Sequence, residues 1–301
     1  MPLDREKNRK GLARSNGQDL MRGEHNLGER TTWVGGNRAN RDLDDTSRKI
    51  LAAGGQGQES SGTSIFDPVL CELVYRWFCP PKSRILDPFA GGSVRGLVAS
   101  FLIHEYVGVD LSQRQLEANR KQISILGKGK PQPKWIEGDS KDLLSLVCGE
   151  FDLVFSCPPY ADLEVYSEDP RDVSVIAFSD YSAFLAVYRQ IIASCVALLK
   201  PNRFAVFVVG DVRGPSGFYR NLPAQTIQAF EDAGATLYNE AILVTAVGSL
   251  PIRIGKQFGK NRKLGKTHQN ILVFYKGDPK FIAKDFPQVE VSMPESNEDQ
   301  A

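Results

Sequence analysis

The stretch RILDPFAGGSVRGLVASFLIHEYVGVD, residues 84–110, decides the fold. It begins with a short apolar strand, RILDPF, turns at a glycine pair and continues as SVRGLVASFL, in which apolar residues recur at helical spacing. A second apolar strand, YVGVD, follows within a few residues. Strand, helix and strand in this order predict a right-handed crossover between two parallel strands.

The same alternation continues on both sides of this unit. Periodic apolar residues predict helices over 64–78, 112–126, 141–147, 181–199 and 224–234, and apolar runs predict strands over 133–139, 151–157, 203–211, 235–247 and 268–277. Strict alternation indicates an α/β, Rossmann-like fold, with a mainly parallel sheet and helices on both faces. Because no helix separates the last two strands, we expect them to form an antiparallel pair.

Composition divides the chain into three parts. Residues 1–62 are rich in Arg, Asn, Gly, Asp and Ser, which predicts a flexible basic arm, with the segment around Trp33 as the one piece that could dock. Residues 63–278 form one predicted domain, and residues 279–301 are predicted to be a loose C-terminal tail.

Cysteine, histidine and apolar residues limit the class of protein. The five cysteines and three histidines form no CxxC pair and no HExxH motif, so we expect reduced thiols and no metal site. No apolar run approaches the roughly 20 residues that span a bilayer, and the first residues lack the apolar core of a secretory signal. We therefore expect a cytoplasmic protein with no membrane partner.

Acidic residues close the first three predicted strands. Asp87 and the pair Gly91-Gly92 follow the first strand, Asp110 follows the second and Asp139 the third. Ligands of open parallel sheets bind beyond these carboxyl ends, where a carboxylate can accept ribose hydroxyls or an exocyclic amine. The alternative is that these residues only form turns and helix caps. Neither GxGxxG nor GxxxxGK[ST] is present, which argues against a dinucleotide or a phosphate loop.

The motifs DPFAGG, GVD, EGD and PPY, in this order, resemble those of S-adenosylmethionine-dependent methyltransferases that act on exocyclic nitrogens of DNA bases. The resemblance covers about residues 64–278. The arrangement of the motifs is similar to that of DNA methyltransferases from phages or mobile elements. It implies a seven-stranded class I methyltransferase sheet and S-adenosylmethionine as cofactor. It also implies that Phe66, Asp67, Asp87, Phe89, Gly91 and Gly92 line the methionine end, that Asp110, beside Leu111, holds the ribose, and that Asp139 and Ser140 hold the adenine.

The segment Ser156-Cys157-Pro158-Pro159-Tyr160 is the predicted catalytic segment. The amino group of a base is a poor nucleophile, so acceptors aimed at its two protons must hold it in line with the methyl group. The proline pair keeps the backbone extended and adds no amide donor, and Tyr160 offers a flat face to a base drawn out of its stack. Related motifs occur in RNA guanine and protein glutamine methyltransferases.

Cys157 stands where the family resembled has Asp, Asn or Ser, and sulfur is a weak acceptor. Three explanations are open. Backbone carbonyls of Cys157 and Pro158 could suffice, Ser156 could supply the missing oxygen through a local bend, or Cys157 could be a thiolate nucleophile. A structural cysteine is also possible.

The substrate side is predicted to be a glycine-studded basic loop at 251–267, which would grip phosphates through Arg253, Lys256, Lys260, Arg262, Lys263 and Lys266. Residues 163–180 could close over the substrate as a lid or form part of the base pocket. Together these features predict methyl transfer to adenine N6 or cytosine N4 of double-stranded DNA, with base flipping. RNA or protein-amide methylation, and a non-catalytic cofactor- or DNA-binding module, are the alternatives.

Overall fold

The computed structural model describes residues 66–161, 169–244 and 250–289. Within 250–256 the side chains of residues 250–253 and of Lys256 are not described. The predicted basic arm at 1–62, including Trp33, lies outside the described residues. The first part of the predicted lid and the last part of the predicted tail also lie outside them.

A single seven-stranded sheet organises the described residues, in the order β3-β2-β1-β4-β5-β7-β6. The strands are β1 (Arg84–Asp87), β2 (Glu105–Asp110), β3 (Lys134–Glu137), β4 (Phe151–Ser156), β5 (Leu199–Val209), β6 (Thr236–Val244) and β7 (His268–Lys276). Strands β1 to β5 are parallel to their neighbours, and β7 runs antiparallel to both β5 and β6. The predicted class I methyltransferase fold, with its antiparallel last pair, is confirmed.

Helices cover the sheet and connect its strands. They are α1 (Pro68–Phe78), α2 (Val94–Phe101), α3 (Gln113–Lys121), α4 (Leu143–Leu146), α5 (Val173–Ser179), α6 (Tyr181–Leu198), α7 (Leu222–Asp232), α8 (Leu250–Asn261) and α9 (Ile282–Asp285). Short 3₁₀ segments lie at Gln122–Ile125, Ser140–Asp142 and Pro279–Phe281. Local chemistry explains where helix α1 begins and ends. Asp67 caps its start by accepting hydrogen bonds from the amides of Val69 and Leu70, and Pro80-Pro81 follow its end.

Side chains on alternate strand positions fill two separate cores, one on each face of the sheet. Leu86, Val154 and Phe207 belong to the face covered by α6 and α7. Their chain neighbours Ile85, Leu153 and Phe155 belong to the face covered by α1. This alternation is the period of two that a strand imposes, and it explains why the central strands are apolar on both sides.

Helix α6 is the longest helix of the described residues. By length and composition it could cross a membrane, since its 18 residues have a mean hydropathy of 1.4. It packs in the core that lies on the α6 and α7 face of the sheet, here named the first core, where Phe184, Ile192 and Cys195 are fully buried. We therefore correct the expectation that no apolar run approaches the length of a bilayer span. Helix α6 does approach it, and it is a helix of the core.

Two predictions of irregular structure are wrong. The basic segment predicted as a loop at 251–267 is helical from Leu250 to Asn261, because Lys, Gln and Ile support a helix that tolerates its glycines at about 1 kcal/mol each. The tail predicted to be loose from residue 279 is docked as far as Phe286, whose ring centroid lies 5.1 Å from that of Phe204. Asp285 in that segment pairs with Arg203 at 3.2 Å.

The insertion of β7 between β5 and β6 predicts a strong dependence of stability on Phe274. Its ring is fully buried and stacks on Phe230 with centroids 3.9 Å apart. We expect Phe274→Ala to lower the free energy of unfolding by about 3–5 kcal/mol, since it leaves a cavity in a packed core. Urea unfolding followed by circular dichroism measures this loss. A loss below about 1 kcal/mol would contradict the central position of β7.

Candidate active site

The carboxylate of Asp87 lies at the centre of the candidate site, where β1 ends. It is fully buried and accepts hydrogen bonds from four donors. One oxygen accepts from the Nε of Arg95 at 2.6 Å and the hydroxyl of Tyr106 at 2.7 Å. The other accepts from the Oγ of Ser156 at 2.6 Å and the amide of Phe89 at 3.1 Å. The ends of β1 and β4 and the strand β2 are therefore joined through one side chain.

Arg95, in the first turn of α2, was not identified from the sequence. Besides pairing with Asp87, its guanidinium donates to the carbonyls of Phe89 and Ala90 at 2.7 and 3.0 Å and lies over the ring of Phe66. Burial alone would lower the pKa of Arg95, but the charge of Asp87 raises it above its ordinary value. An arginine inside the apolar run SVRGLVAS is the one signal in the sequence, since such a charge needs a buried partner.

These contacts change the role expected of Asp87. The resemblance implies that it lines the methionine end of the cofactor, yet its oxygens are occupied by protein donors and none of its surface is exposed. Buried carboxylates persist where such donors satisfy them. Asp87 thus supports the loop that follows β1 and does not line the open space.

The glycine pair after β1 leaves the open space that a cofactor needs. A Cβ atom at Gly92 would meet nothing within 4 Å, and one at Gly91 would only touch a carbonyl oxygen at 4.0 Å. Gly91 has a φ of +48°, which favours glycine. Its amide donates to Asp110 at 2.8 Å, and its carbonyl accepts from Asn119. The loop is thus fixed from beneath, with space above it.

Asp110, at the end of β2, faces this space. Its two oxygens accept from the amides of Gly91 and Ser112, each at 2.8 Å. Burial raises the pKa of Asp110, whereas these amide donors act in the opposite direction. A carboxylate that is desolvated in this way gains from further donors such as ribose hydroxyls. Leu111, the next residue, is half-buried. The residues at this edge therefore fit a nucleoside-bearing cofactor.

The end of β3 contributes Asp139 and Ser140. Asp139 accepts from the amide of Lys141 at 2.9 Å and pairs with its ammonium at 3.0 Å, so it caps the short 3₁₀ segment. Ser140 donates to the carbonyl of Pro88 at 2.5 Å and joins this strand end to the loop after β1. The capping role considered from the sequence is therefore present at Asp139, at the same edge as Asp110.

The aromatic residues expected at the methionine end lie on opposite sides of the loop after β1. Phe66 packs on the α1 side, 5.8 Å from the ring of Phe155, while Phe89 packs on the α6 side near Tyr188. Asp67 is exposed and caps α1. The structure therefore brings Phe66 to the site through Arg95, and Asp67 contributes through the helix that it begins.

Tyr160 closes the segment after β4 and is held on two sides. Its hydroxyl lies 3.2 Å from the Sγ of Cys157. Its ring lies on Gly210, at the end of β5, where a Cβ atom would stand 2.9 Å from ring carbon Cε2. Ala161, which follows, has a φ of +53°, and its amide donates to the carbonyl of Pro159 at 2.9 Å. This strained turn after the proline pair orients the tyrosine.

Ser156 does not take the role considered for it from the sequence. Its hydroxyl is fully buried and donates to Asp87, so it is not aimed at a substrate amine. The strand stays regular through Ser156, which pairs with Phe207 of β5, and the local bend that this explanation required is absent at that residue. The carbonyl and nucleophile explanations for Cys157 stay predictions.

The basic residues predicted to bind phosphates lie at the end of α8 and beyond it. Lys260 and Arg262 are exposed, while Lys263 and Lys266 are half-buried. Partial burial lowers the pKa of Lys266, and the nearby carboxylate of Asp211 acts in the opposite direction. Because Asp211 follows Gly210, the basic segment approaches the strand end that supports Tyr160. The side chains of Arg253 and Lys256 lie outside the described ones.

The described part of the predicted lid is ordered as helix α5, which the sequence did not indicate. Asp172 caps α5 by accepting from the amide of Ser174 at 2.8 Å, and Asp180 between α5 and α6 caps α6 in the same way. Val173 and Ala177 pack in the first core. Within the described residues, no group of His, Cys, Asp and Glu side chains could hold a metal ion.

Several known proteins are similar to this chain. Residues 151–301 match the family model of N6/N4 methyltransferases, described as DNA methylase. No curated protein matches the sequence. TrmN from Thermus thermophilus is similar at 18% identity and a TM-score of 0.47, over 76% of this chain and 53% of its own.

Two further solved structures are similar over most of their length. A methyltransferase from Pyrococcus furiosus is 14% identical, with a TM-score of 0.47 over 78% of this chain and 100% of its own. A TehB-like SAM-dependent methyltransferase from Corynebacterium glutamicum is 16% identical, with a TM-score of 0.42 over 79% of this chain and 98% of its own. The chain thus spans about half of TrmN and nearly all of the other two.

The raised pKa of Asp110 predicts that cofactor affinity depends on pH. Ribose hydroxyls donate to the ionised carboxylate, so affinity should fall as the pH decreases from neutrality and Asp110 takes up a proton. Calorimetric titration with S-adenosylmethionine over this range measures the change, and Asp110→Asn should remove that pH dependence. An affinity that is flat with pH in the unaltered protein, or equally steep in the variant, would contradict this role.

The contact between Tyr160 and Gly210 predicts that a single methyl group disables catalysis. We expect Gly210→Ala to displace the ring and to slow methyl transfer about 10- to 100-fold, since catalysis tolerates little misplacement. Binding of S-adenosylmethionine should stay within about two-fold, because the cofactor edge lies at other strand ends. Gly127→Ala is the matched control, since its Cβ atom would meet nothing within 4 Å. Equal transfer rates in both variants would contradict the proposed placement of the ring.

Proposed function

The chain belongs to the DNA methylase family of N6/N4 methyltransferases, with S-adenosylmethionine as its methyl donor, and from this premise we propose how its residues methylate double-stranded DNA. The target is the exocyclic amino nitrogen of adenine or cytosine. The cofactor supplies a methyl group activated by its sulfonium. The cofactor-binding residues are Gly91, Gly92 and Asp110, with Asp139 and Ser140 at the adenine end.

One observation carries the proposal. The hydroxyl of Ser156 donates to Asp87 at 2.6 Å, and this bond joins the strand end that precedes Pro158 to the strand end that precedes the glycine pair. Asp87 is held in turn by Arg95, which donates to the carbonyls of that same loop. We call residues 157–160 the acceptor segment and residues 88–92 the cofactor loop. The hydrogen bonds hold these two segments at a fixed separation, which in-line transfer requires.

The segment after β4 presents the amine to the methyl group. The carbonyls of Cys157 and Pro158 would accept hydrogen bonds from the two amine protons and favour the pyramidal nitrogen. That nitrogen would gain the methyl group as the methyl–sulfur bond of the sulfonium breaks, leaving a neutral thioether, and one of its protons would pass to water. The carbonyl of Pro159 accepts from Ala161 and fixes the turn. The ring of Tyr160, held by Gly210 and Cys157, stacks on the base and keeps its edge toward the carbonyls.

Double-stranded DNA reaches this segment through base flipping. A base inside a duplex cannot bring its amino group to carbonyls at the end of a central strand, so the target nucleotide leaves the stack. Lys260, Arg262, Lys263 and Lys266 precede β7, whose start pairs with the end of β5, and we assign phosphate contacts to them. A cytoplasmic location, in which such DNA is accessible, stays a prediction. We also expect the protein to take part in restriction-modification.

Labelled cofactor tests the proposal directly. We expect protein incubated with methyl-labelled S-adenosylmethionine to label duplex DNA, and digestion to nucleosides to place the label on adenine N6 or cytosine N4. RNA and protein should stay unlabelled in parallel reactions. Label on RNA or protein alone, or on carbon 5 of cytosine, would overturn the proposal.

The same assay decides the role of Cys157. Cys157→Ser should keep or raise the transfer rate, because a hydroxyl is a better acceptor than a thiol and the hydrogen bond to Tyr160 can be retained. If Cys157 attacks the base as a thiolate, the variant should lose transfer altogether. The labelled position separates the two, since nucleophilic attack belongs to methylation at carbon.

A further inference from the structure

A rigid β-hairpin follows β5, formed by residues 212–220 and here named the β5 hairpin. Arg213 and Tyr219 form an antiparallel bridge, and the amide of Arg220 donates to the carbonyl of Val212 at 2.8 Å. The tip is Gly214-Pro215-Ser216-Gly217, where the amide of Gly217 donates to the carbonyl of Gly214 at 2.9 Å. Proline at the second position and a φ of +87° at Gly217 fix this turn. The methyl-transfer chemistry described above assigns it no role.

The β5 hairpin presents a large aromatic side chain to solvent. Phe218 is 78% exposed. Beside it, the guanidinium of Arg213 lies 3.8 Å from the ring centroid of Tyr219 and donates to the carbonyl of Gly217 at 3.0 Å. The backbone under Phe218 is therefore fixed while its ring stays in water. A rigid aromatic that buries little of itself within the chain is suited to contact with a partner.

A basic groove separates the β5 hairpin from the end of α8. Its volume is about 490 Å³, and it is lined by Arg213 and residues 215–218 on one side and by residues 261–263 on the other. The lining includes the cations Arg213, Arg262 and Lys263 and, among the residues described, no carboxylate. The Nζ of Lys263 lies 3.2 Å from the point where a Cβ atom on Gly217 would stand. The groove is therefore suited to an anion with an aromatic neighbour.

The groove lies close to the catalytic segment along the chain. Gly210 contacts the ring of Tyr160, and Arg213 follows three residues later. Three residues extend over at most about 11 Å. This distance covers no more than a few nucleotides of an extended strand. An anion in the groove would therefore lie within a few nucleotides of a base stacked on Tyr160.

We propose that this groove binds backbone phosphates of the DNA strand that carries the target base, and that Phe218 packs against the face of a neighbouring base. Cations clustered without carboxylates attract the polyanion, and an exposed ring recognises a base face that flipping leaves uncovered. The assignment rests on the proposed function. It adds the β5 hairpin as a second DNA-contacting surface, opposite the basic residues at the end of α8.

Two variants separate the parts of the groove. Lys263→Ala removes one phosphate contact and should reduce the slope of log affinity against log salt by about 0.9. Phe218→Ala should weaken binding about five-fold or more at constant salt slope, whereas Phe218→Tyr should restore it. The matched control for the lysine is Lys134→Ala, which removes an exposed cation at the start of β3. The matched control for the ring is Phe281→Ala, which removes a half-exposed ring in the 3₁₀ segment after β7.

Fluorescence anisotropy with a labelled mixed-sequence duplex, in the presence of S-adenosylmethionine, measures affinity for each variant of the full chain. Circular dichroism and calorimetric binding of the cofactor should be the same in all of them, which separates loss of contact from loss of fold. The proposal is overturned if both groove variants bind the duplex as their controls do, or if a labelled RNA duplex is bound more tightly than DNA.

The outcome distinguishes this inference from the proposed function. If unaltered protein methylates and binds DNA while the groove variants match their controls, the groove assignment fails and the methyltransferase assignment stands. If unaltered protein neither binds nor methylates DNA in the same buffers, the proposed function fails, and the groove assignment fails with it.

Discussion

The buried carboxylate of Asp87 is the constraint on which the rest of the site depends. It accepts one hydrogen bond each from β4, β2, α2 and the loop after its own strand. Burying a charge is costly unless it is paired and hydrogen-bonded, and here Arg95 supplies the pairing while Tyr106 and Ser156 supply the bonds. Because burial raises the pKa of Tyr106, its phenol keeps the proton that it donates. Each partner therefore fixes the positions of the others.

This network explains how two loops from distant parts of the sequence act as one site. The cofactor loop and the acceptor segment start 69 residues apart, yet they share the Asp87 carboxylate. A sheet whose strands end at one edge brings such loops together, but backbone pairing alone would leave their side chains free to adopt other arrangements. Satisfied polar contacts remove that freedom and preorganise the site before any ligand arrives.

The end of β5 extends the same construction to the substrate. Gly210 has no side chain, and so the ring of Tyr160 can lie on the strand end. The chain then continues directly into the β5 hairpin, which faces the basic end of α8 across the groove. The end of β5 therefore supports the ring of Tyr160, and the chain that follows it forms one wall of the groove to which we assign phosphate binding.

The sequence by itself determined the strands, the edge of the sheet at which the predicted ligand-binding residues collect and the family to which PPY points. Those features are local: a period of two or 3.6, a glycine pair, or an acid at a strand end is visible within ten residues. The helix at Leu250–Asn261 was not predicted because its glycines and charges resemble those of a loop, although its lysine and glutamine residues support a helix.

Only the tertiary structure decided which polar groups meet. It paired Arg95 with Asp87, turned Ser156 inward, placed Tyr160 on Gly210 and docked Phe286 against Phe204. Apart from the arginine within the apolar run SVRGLVAS, these contacts have no signature in neighbouring residues, because a buried charge or ring is satisfied by whichever group the packed strands bring within reach. Burial makes those long-range choices obligatory, and the linear pattern carries no record of them.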